Sequence, residues 1–230
     1  MNQYKSGKTL TPEQRQALEA THTWQRIVEL RLDPVLGSFD AAHLKEINRR
    51  IFQDLPSLGF VEATPGEYRP AVTPGKDWIK IRHLESIGIT SHVAYSPMDK
   101  AAQLRLSEVL EGVTPTELCN LKTTELTQAI GEFYVEIDYI HPFIDGNSRT
   151  LREFTRQLAE ASGYILDWSQ FDKSPAGRDV LYIARDLSVN KLALPNIQNL
   201  VTKRDVMLSM DQLEGNRELP DLLRDAVRPF

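Results

Sequence analysis

The sequence predicts a mainly helical fold, a helical bundle with one short β-hairpin excursion, and three observations carry that prediction. Apolar residues recur at three- and four-residue spacing over most of the chain, and hydroxyl or carboxylate N-cap residues stand in front of these stretches. The pattern changes between Gly59 and Met98, where Pro65, Gly66, Pro70, Pro74, Gly75 and Pro97 punctuate short runs. No internal repeat or low-complexity run interrupts this reading, so the whole chain reads as one helical domain with a β insert.

Thr11-Pro12-Glu13-Gln14 opens the first helix: a hydroxyl N-cap, Pro at the first helical position and Gln three residues after the cap. Ala17, Ala20, Trp24, Ile27 and Val28 then trace one apolar stripe, and the helix is expected to reach about Arg31. Asp40 caps a second helix with Leu44, Ile47, Ile51 and Leu55 on one face. Trp78-Ile79-Lys80-Ile81 and Ser91-His92-Val93-Ala94-Tyr95 read as the extended stretches of the hairpin. Thr114-Pro115-Thr116-Glu117 repeats the capping box before Leu118 and Leu121, and Leu126, Ile130, Phe133, Tyr134 and Ile137 mark a longer helix. From Gly146 to about Leu192, and again from Pro195 to Met210, the pattern is helical, with Leu151, Phe154 and Leu158 as the buried edge of the first helix.

Composition excludes several classes. The 230 residues carry 27 Lys and Arg against 32 Asp and Glu, a net charge of −5, which argues against a chain that binds phosphate backbones or anionic membranes by bulk charge. Cys119 is the one cysteine, so an intrachain disulfide and a multi-cysteine zinc site are excluded and a reducing cytosol is the natural compartment. Met1 to Gln16 lacks the apolar core of a secretory signal. The expected location is the cytoplasm, unless a carrier exports the protein.

Chemistry concentrates in His141-Pro142-Phe143-Ile144-Asp145-Gly146-Asn147-Ser148-Arg149-Thr150-Leu151-Arg152. Pro142 biases His141 out of helical geometry and ends the preceding helix, while Asp145-Gly146-Asn147 is turn chemistry placed before a new helix. A helix start with unpaired amides is an anion site, and Arg149 and Arg152, three apart, add two guanidinium groups on one side of it. Asp145 is a hard carboxylate suited to one Mg²⁺ or Mn²⁺ ion that shares its other positions with phosphate oxygens and water. His141, with an unperturbed pKa of roughly 6.5, suits a general base. Phe143 is expected to point inward and pin the loop. Taken singly, each feature has a structural explanation; their conjunction within one short segment points to a polyphosphate site.

The segment resembles the Fic family motif, H-P-F-x-[D/E]-G-N-[G/K]-R-x-x-R, at every position except the eighth, where Ser148 stands. Phe39-Asp40-Ala41-Ala42-His43-Leu44 with Ile51-Phe52-Gln53-Asp54-Leu55 is similar to the helix that opens the Fic core, and Gly66-Glu67-Tyr68-Arg69 to the turn into its flap. The resemblance implies a Fic fold with its core at 39–190, an N-terminal helical extension at 1–38 and a C-terminal one at 191–230. It implies transfer of AMP from ATP to a Tyr, Thr or Ser hydroxyl of a target protein. His141 is then the base, Asp145 the ligand of the metal bridging the α- and β-phosphates, and Gly146, Asn147 and Ser148 the anion-binding loop. Arg149 contacts the γ-phosphate and Arg152 assists at the β-phosphate or orients ATP. The Ser148 amide can still donate, and the absence of Lys there leans toward AMP transfer rather than phosphate transfer.

The resemblance also implies a flap that holds the target by main-chain pairing, for which Ser91, His92, Val93, Ala94 and Tyr95 are the best extended candidates, and a glutamate that restrains the enzyme by pairing with the second arginine of the motif. Thr9 to Glu13 does not match the inhibitory pattern. Ser209-Met210-Asp211-Gln212-Leu213-Glu214-Gly215-Asn216 ends correctly but carries Met210 where a hydroxyl belongs. Two readings stand: Glu214 restrains Arg152, or Gly215 simply caps a helix. In the second case a separate small antitoxin is the expected partner, as in toxin members of the family that modify DNA gyrase and topoisomerase IV. Alternatives to AMP transfer are a catalytically weak module that binds nucleotide or a partner, and an enzyme using another donor such as UTP, GTP or CDP-choline.

Overall fold

In the computed structural model, which describes residues 10–230, the first capping box forms as written: the Gln14 amide donates to the Thr11 hydroxyl and the Thr11 amide to the Gln14 side chain, at 3.2 and 3.0 Å. The first nine residues of the expected extension, Thr9 included, lie outside the described residues. Helix α1 (Pro12–Leu32) follows, then α2 (Ala41–Phe52), capped by Asp40. Each such cap contributes about 1 kcal/mol. Strands β1 (Trp78–Leu84) and β2 (Ile89–Tyr95) form an antiparallel hairpin with Trp78 opposite Tyr95 and Leu84 opposite Ile89. Next come α3 (Lys100–Glu111), α4 (Pro115–Leu118), opened by the Thr114–Glu117 box, α5 (Thr123–Ile140) and α6 (Asn147–Ala161). The chain ends with β3 (Tyr164–Leu166), α7 (Pro175–Ala193), α8 (Leu200–Gln212), α9 (Leu219–Leu223) and β4 (Val227–Pro229).

Helix α5 is the axis of the bundle. Leu126, Ile130, Phe133, Tyr134, Ile137 and Ile140 are all buried, and they meet Leu151, Phe154 and Leu158 of α6 in the same core. Burying side chains of this size contributes about 1.5–3 kcal/mol each, which outweighs the weak intrinsic preference of β-branched residues for helix. Gly131 lets α9 approach closely: a Cβ there would lie 2.6 Å from Cα of Pro220. The C-terminal extension expected at 191–230 is thereby packed into the core, and Val227–Pro229 pairs with Tyr164–Leu166.

Three expectations need correction. Of the stripe Ala17, Ala20, Trp24, Ile27 and Val28, Ile27 packs half-buried against the core and the others face solvent; α1 buries Thr23 and Leu30, and Trp24 is 68% exposed. The helix is held by polar contacts that apolar periodicity does not register, including Arg26 to Asp54 at 2.7 Å. Helix α3, with Ala102, Leu106 and Leu110 inward, was not foreseen, although Asp99 is a plain N-cap. The helical reading of Gly146 to Leu192 is broken by β3, whose partner strand lies more than sixty residues away and leaves no local signal.

Candidate active site

The helix α5 ends at His141, which adopts left-handed backbone angles, φ 52 and ψ 60. Such a conformation costs a non-glycine residue about 1–3 kcal/mol and persists where the surroundings over-determine it. Here Arg69, buried to 2% exposure, donates from Nε to the His141 carbonyl at 2.7 Å and from Nη2 to the Ser96 carbonyl at 2.6 Å. The Arg69 amide also donates to the Pro142 carbonyl at 2.8 Å. Gly66-Glu67-Tyr68-Arg69 therefore fastens the turn that presents the histidine.

The loop after Pro142 is closed by Asn147. Its carboxamide accepts from the Phe143 amide at 3.0 Å and donates to the Phe143 carbonyl at 2.8 Å, so the side chain staples the loop and only its backbone is left for an anion. Phe143 is buried, as expected. Gly146 has φ 74, and a Cβ there would fall 2.0 Å from the Phe52 ring, so the position requires glycine on both counts. No side chain caps α6 at this point, which leaves amides of its first turn for a ligand. The Asp145 carboxylate accepts from the Gly146 amide at 2.8 Å and lies 3.7 Å from Lys80 Nζ; its side chain is 70% exposed.

These residues line a cavity of about 390 Å³ together with Lys80 and Arg82 of β1, Tyr182 and Arg185 of α7 and Glu19 of α1. His141, Asp145, Gly146, Asn147, Ser148, Arg149 and Arg152 are all on its wall, so the motif converges as expected. Both motif arginines already have carboxylate partners. Arg149 pairs with Glu19 and donates to Thr23 Oγ1 at 3.0 Å, while Arg152 pairs with Asp172 at 2.8 Å. Ser148 accepts at Oγ from Arg185 Nη1 at 3.1 Å.

His141 itself is buried, with its ring 3.9 Å from that of Tyr95. Nδ1 sits 3.3 Å from the Asp138 carbonyl, and Nε2 has no hydrogen-bond partner among the described residues. Burial pushes its pKa down to about 4; Asp138 opposes that shift, and Lys80 and Arg69 add to it. The imidazole is therefore neutral near pH 7 and can accept a proton. Among the described residues no cluster of three or more His, Cys, Asp or Glu could hold a metal unaided. Asp145, exposed on the cavity wall, fits a metal that takes one protein carboxylate and completes its shell with phosphate and water.

One expected assignment is corrected, and of the two readings of Glu214 the helix cap is the one that fits. Ser91, His92, Val93, Ala94 and Tyr95 form β2, the inner strand. The His92 amide donates to Ser209 Oγ at 2.9 Å, the Ala94 amide to Asn190 Oδ1 at 3.2 Å, and Asn190 Nδ2 to the His92 carbonyl at 3.0 Å. With β1 on its other side, β2 has no edge to offer, and among the described residues the open edge of the hairpin is β1. Glu214 lines a cavity with Lys191, Met210 and Glu218 that Arg152 does not share, and the carboxylate paired with Arg152 is Asp172. Gly215 turns there at φ 81, as a helix-ending glycine does.

Sequence reasoning missed Asp138, Arg185, Lys80, Arg82 and Glu19. Asp138 had a legible signal, a carboxylate three residues before His141 on the inward face of α5. The others reach the site from remote elements.

A hairpin, a buried histidine at a helix end and an uncapped helix start with two arginines make a helical domain with a cavity of the chemistry an anion needs. The chain belongs to the Fic/DOC family, whose profile matches residues 38–159, more than half of its length. It is 29% identical over 194 residues to "Protein adenylyltransferase VbhT" of Bartonella schoenbuchensis, covering 84% of this chain and 36% of VbhT. It is 24% identical over 150 residues to "Probable protein adenylyltransferase Fic" of Escherichia coli strain K12, covering 64% of this chain and 62% of the relative. The chain thus spans about a third of VbhT and under two thirds of the Escherichia coli protein. Among solved structures it resembles BepC of Bartonella tribocorum with bound AMPPNP (TM-score 0.62, 17% identity, 99% of this chain and 96% of that one). It also resembles the Fic domain of a VirB-translocated effector of Bartonella quintana with bound ADP (TM-score 0.60, 22% identity, 98% and 94%). At these identities the likeness is one of fold, and it bears out the expected Fic architecture. No described helix is long and apolar enough to cross a membrane.

Proposed function

We propose that the chain is a protein adenylyltransferase that moves AMP from ATP to a Tyr, Thr or Ser hydroxyl of a target protein. The observation that carries this reading is His141, whose buried Nε2 has no partner among the described residues and which lines the cavity together with Arg149, Arg152 and the start of α6. The names of VbhT and the Escherichia coli relative support it. In the reaction the target oxygen attacks the α-phosphorus, its proton passes to Nε2, and the bond to the β-phosphate oxygen breaks to release pyrophosphate. The amides of α6 and the two arginines bind phosphate oxygens, and closeness and fixed charge supply most of the rate. A Mg²⁺ or Mn²⁺ ion held by Asp145 would neutralise phosphate charge.

The target is proposed to pair with the open edge of β1, whose Lys80 and Arg82 reach the cavity while Ile81 stands 68% exposed on the other face. Toxin activity, with DNA gyrase and topoisomerase IV as first targets to assay, belongs to the same proposal. So does a small antitoxin. A groove of about 490 Å³ between α1 and Trp168 runs from Trp24, Ile27 and Val28 to Arg149 and Arg152, and would seat a partner helix carrying a carboxylate.

One observation favours a second reading, a module that binds nucleotide without turnover: Glu19 and Asp172 already occupy the two motif arginines. Incubating bacterial lysate with Mg²⁺ and ATP labelled at the α-phosphate separates the two. Labelled protein bands that vanish in His141→Ala support transfer. Binding of Mg·ATP with no label from the wild type, in bacterial and eukaryotic lysates and with UTP, GTP and CDP-choline also tried, overturns it in favour of the binding module.

A further inference from the structure

We infer that Asp138 and Arg185 are positioning residues for His141, and that Ser148, the residue that departs from the family motif, completes their network. The inference rests on reading His141 as the general base. Asp138 and Arg185 are buried to 1% and 2% exposure, and the guanidinium grips the carboxylate from two sides: Nε to Oδ2 at 3.0 Å, and Nη2 to Oδ1 and Oδ2 at 2.9 and 2.8 Å. Its remaining nitrogen, Nη1, donates to Ser148 Oγ at 3.1 Å. A buried ion pair adds little net stability compared with apolar residues of the same volume, so stability alone does not account for one here.

What an apolar pair could not supply is a carboxylate behind the imidazole. Asp138 Oδ1 lies 3.6 Å from His141 Nδ1, with the Asp138 carbonyl at 3.3 Å. A proton on Nδ1 is directed to these acceptors, which leaves the lone pair on Nε2, an atom with no hydrogen-bond partner among the described residues, on a ring that lines the cavity. When Nε2 takes the proton of the target hydroxyl, a buried imidazolium forms. The groups around it are Lys80 from β1, Arg69 from the segment before β1 and the Tyr95 ring from β2, with Arg82 and Arg185 on the same cavity wall. Asp145 lies across the cavity beside Lys80, and Asp186 is paired with Arg82. Asp138 is thus the carboxylate next to the new charge. Burial opposes its ionisation, and Arg185 with His141 outweighs burial and holds its pKa well below the ordinary value. Arg185 therefore keeps Asp138 a carboxylate rather than a proton acceptor, and limits how strongly it raises the basicity of His141. Ser148 Oγ accepts from Nη1, the nitrogen that Asp138 leaves free, and so completes the hydrogen bonding of the guanidinium that holds the carboxylate.

The test reads the histidine ring and needs no transfer activity, so it is independent of the outcome of the lysate assay. In the intact chain without nucleotide, the His141 imidazole signal, assigned with His141→Ala, is titrated by NMR. Arg185→Gln should raise its midpoint by about one pH unit or more, because the freed carboxylate stabilises the imidazolium. Asp138→Asn should lower it, so that protonation is not seen before acid unfolding. A packing role moves neither midpoint, and no packing role moves them in opposite directions. Where transfer is measurable, both variants should lose about tenfold or more in kcat with KM for ATP little changed, and Arg185→Lys should recover part of the loss. Should a single variant fail to fold, Asp138→Asn/Arg185→Gln replaces the ion pair by a neutral hydrogen-bonded pair; it should keep the midpoint at or below that of the wild type and stay slow. A folded Arg185→Gln or double variant with wild-type midpoint and wild-type kcat overturns the inference.

Discussion

Glu19 of α1 pairs with Arg149 of α6 across the mouth of the cavity, although 130 residues separate them in the chain. The contact neutralises a guanidinium that a phosphate would use, and both side chains are about a quarter exposed. A pair this exposed is worth about 0–1 kcal/mol, so phosphate oxygens can displace the carboxylate. Glu19→Ala is expected to tighten ATP binding by about threefold to tenfold, the equivalent of removing one weak competitor. Calorimetric titration of the two proteins checks this, and unchanged affinity would mean that Arg149 does not meet the nucleotide.

Gly146→Ala is expected to be among the most damaging single-methyl changes in the chain. It adds a Cβ that meets the Phe52 ring and forces φ 74 on a residue that disfavours it. Together these should cost about 2 kcal/mol or more, read as a lower urea midpoint. Combining it with Phe52→Leu should return only part, since the backbone strain remains.

The Asn147 carboxamide makes two buried hydrogen bonds to Phe143 and none is exchanged for a ligand bond in the proposed reaction. Asn147→Ala should therefore cost about 2 kcal/mol of stability and reduce kcat by loosening the loop. The thermal midpoint and single-turnover transfer rates measure the two effects. Asn147→Asp, which can still accept from the Phe143 amide but cannot donate to its carbonyl, should fall between.

Acid sensitivity follows from His141. Its pKa is lowered from 6.5 to about 4 in the folded chain, so the unfolded chain binds more protons between these values. Stability is then complete above about pH 6.5 and falls as the pH drops toward 4, by at most about 1.4 kcal/mol per pH unit for this one group. His141→Gln, which cannot charge, should flatten the urea midpoint across that window while leaving the decline below it, where the unfolded chain protonates Asp138 and the folded chain still holds it as a carboxylate. An unchanged slope in His141→Gln would place the titrating group elsewhere.

Residues from His141 to Arg152 were legible because their chemistry is local. A proline sets the backbone of the residue before it, glycine permits a left-handed turn, and arginines three apart share a helix face. The capping boxes at Thr11 and Thr114 were legible for the same reason, as were the inward faces of α2, α5 and α6. The direction of α1 was not, since its Trp24 stripe is turned outward by contacts of Arg26 and Glu19 with distant partners.

The sequence by itself determined the helical class, the family motif and the polar identity of the site, all of which depend on spacings of a few residues. The tertiary structure alone decided which groups surround that motif: the Arg185 side chain behind His141, Glu19 and Asp172 on the two arginines, and β1 rather than β2 as the open edge. Such pairings are set by the packing of whole helices, whose relative positions follow from the sum of many buried apolar contacts and leave no periodic mark at the charged residues they bring together.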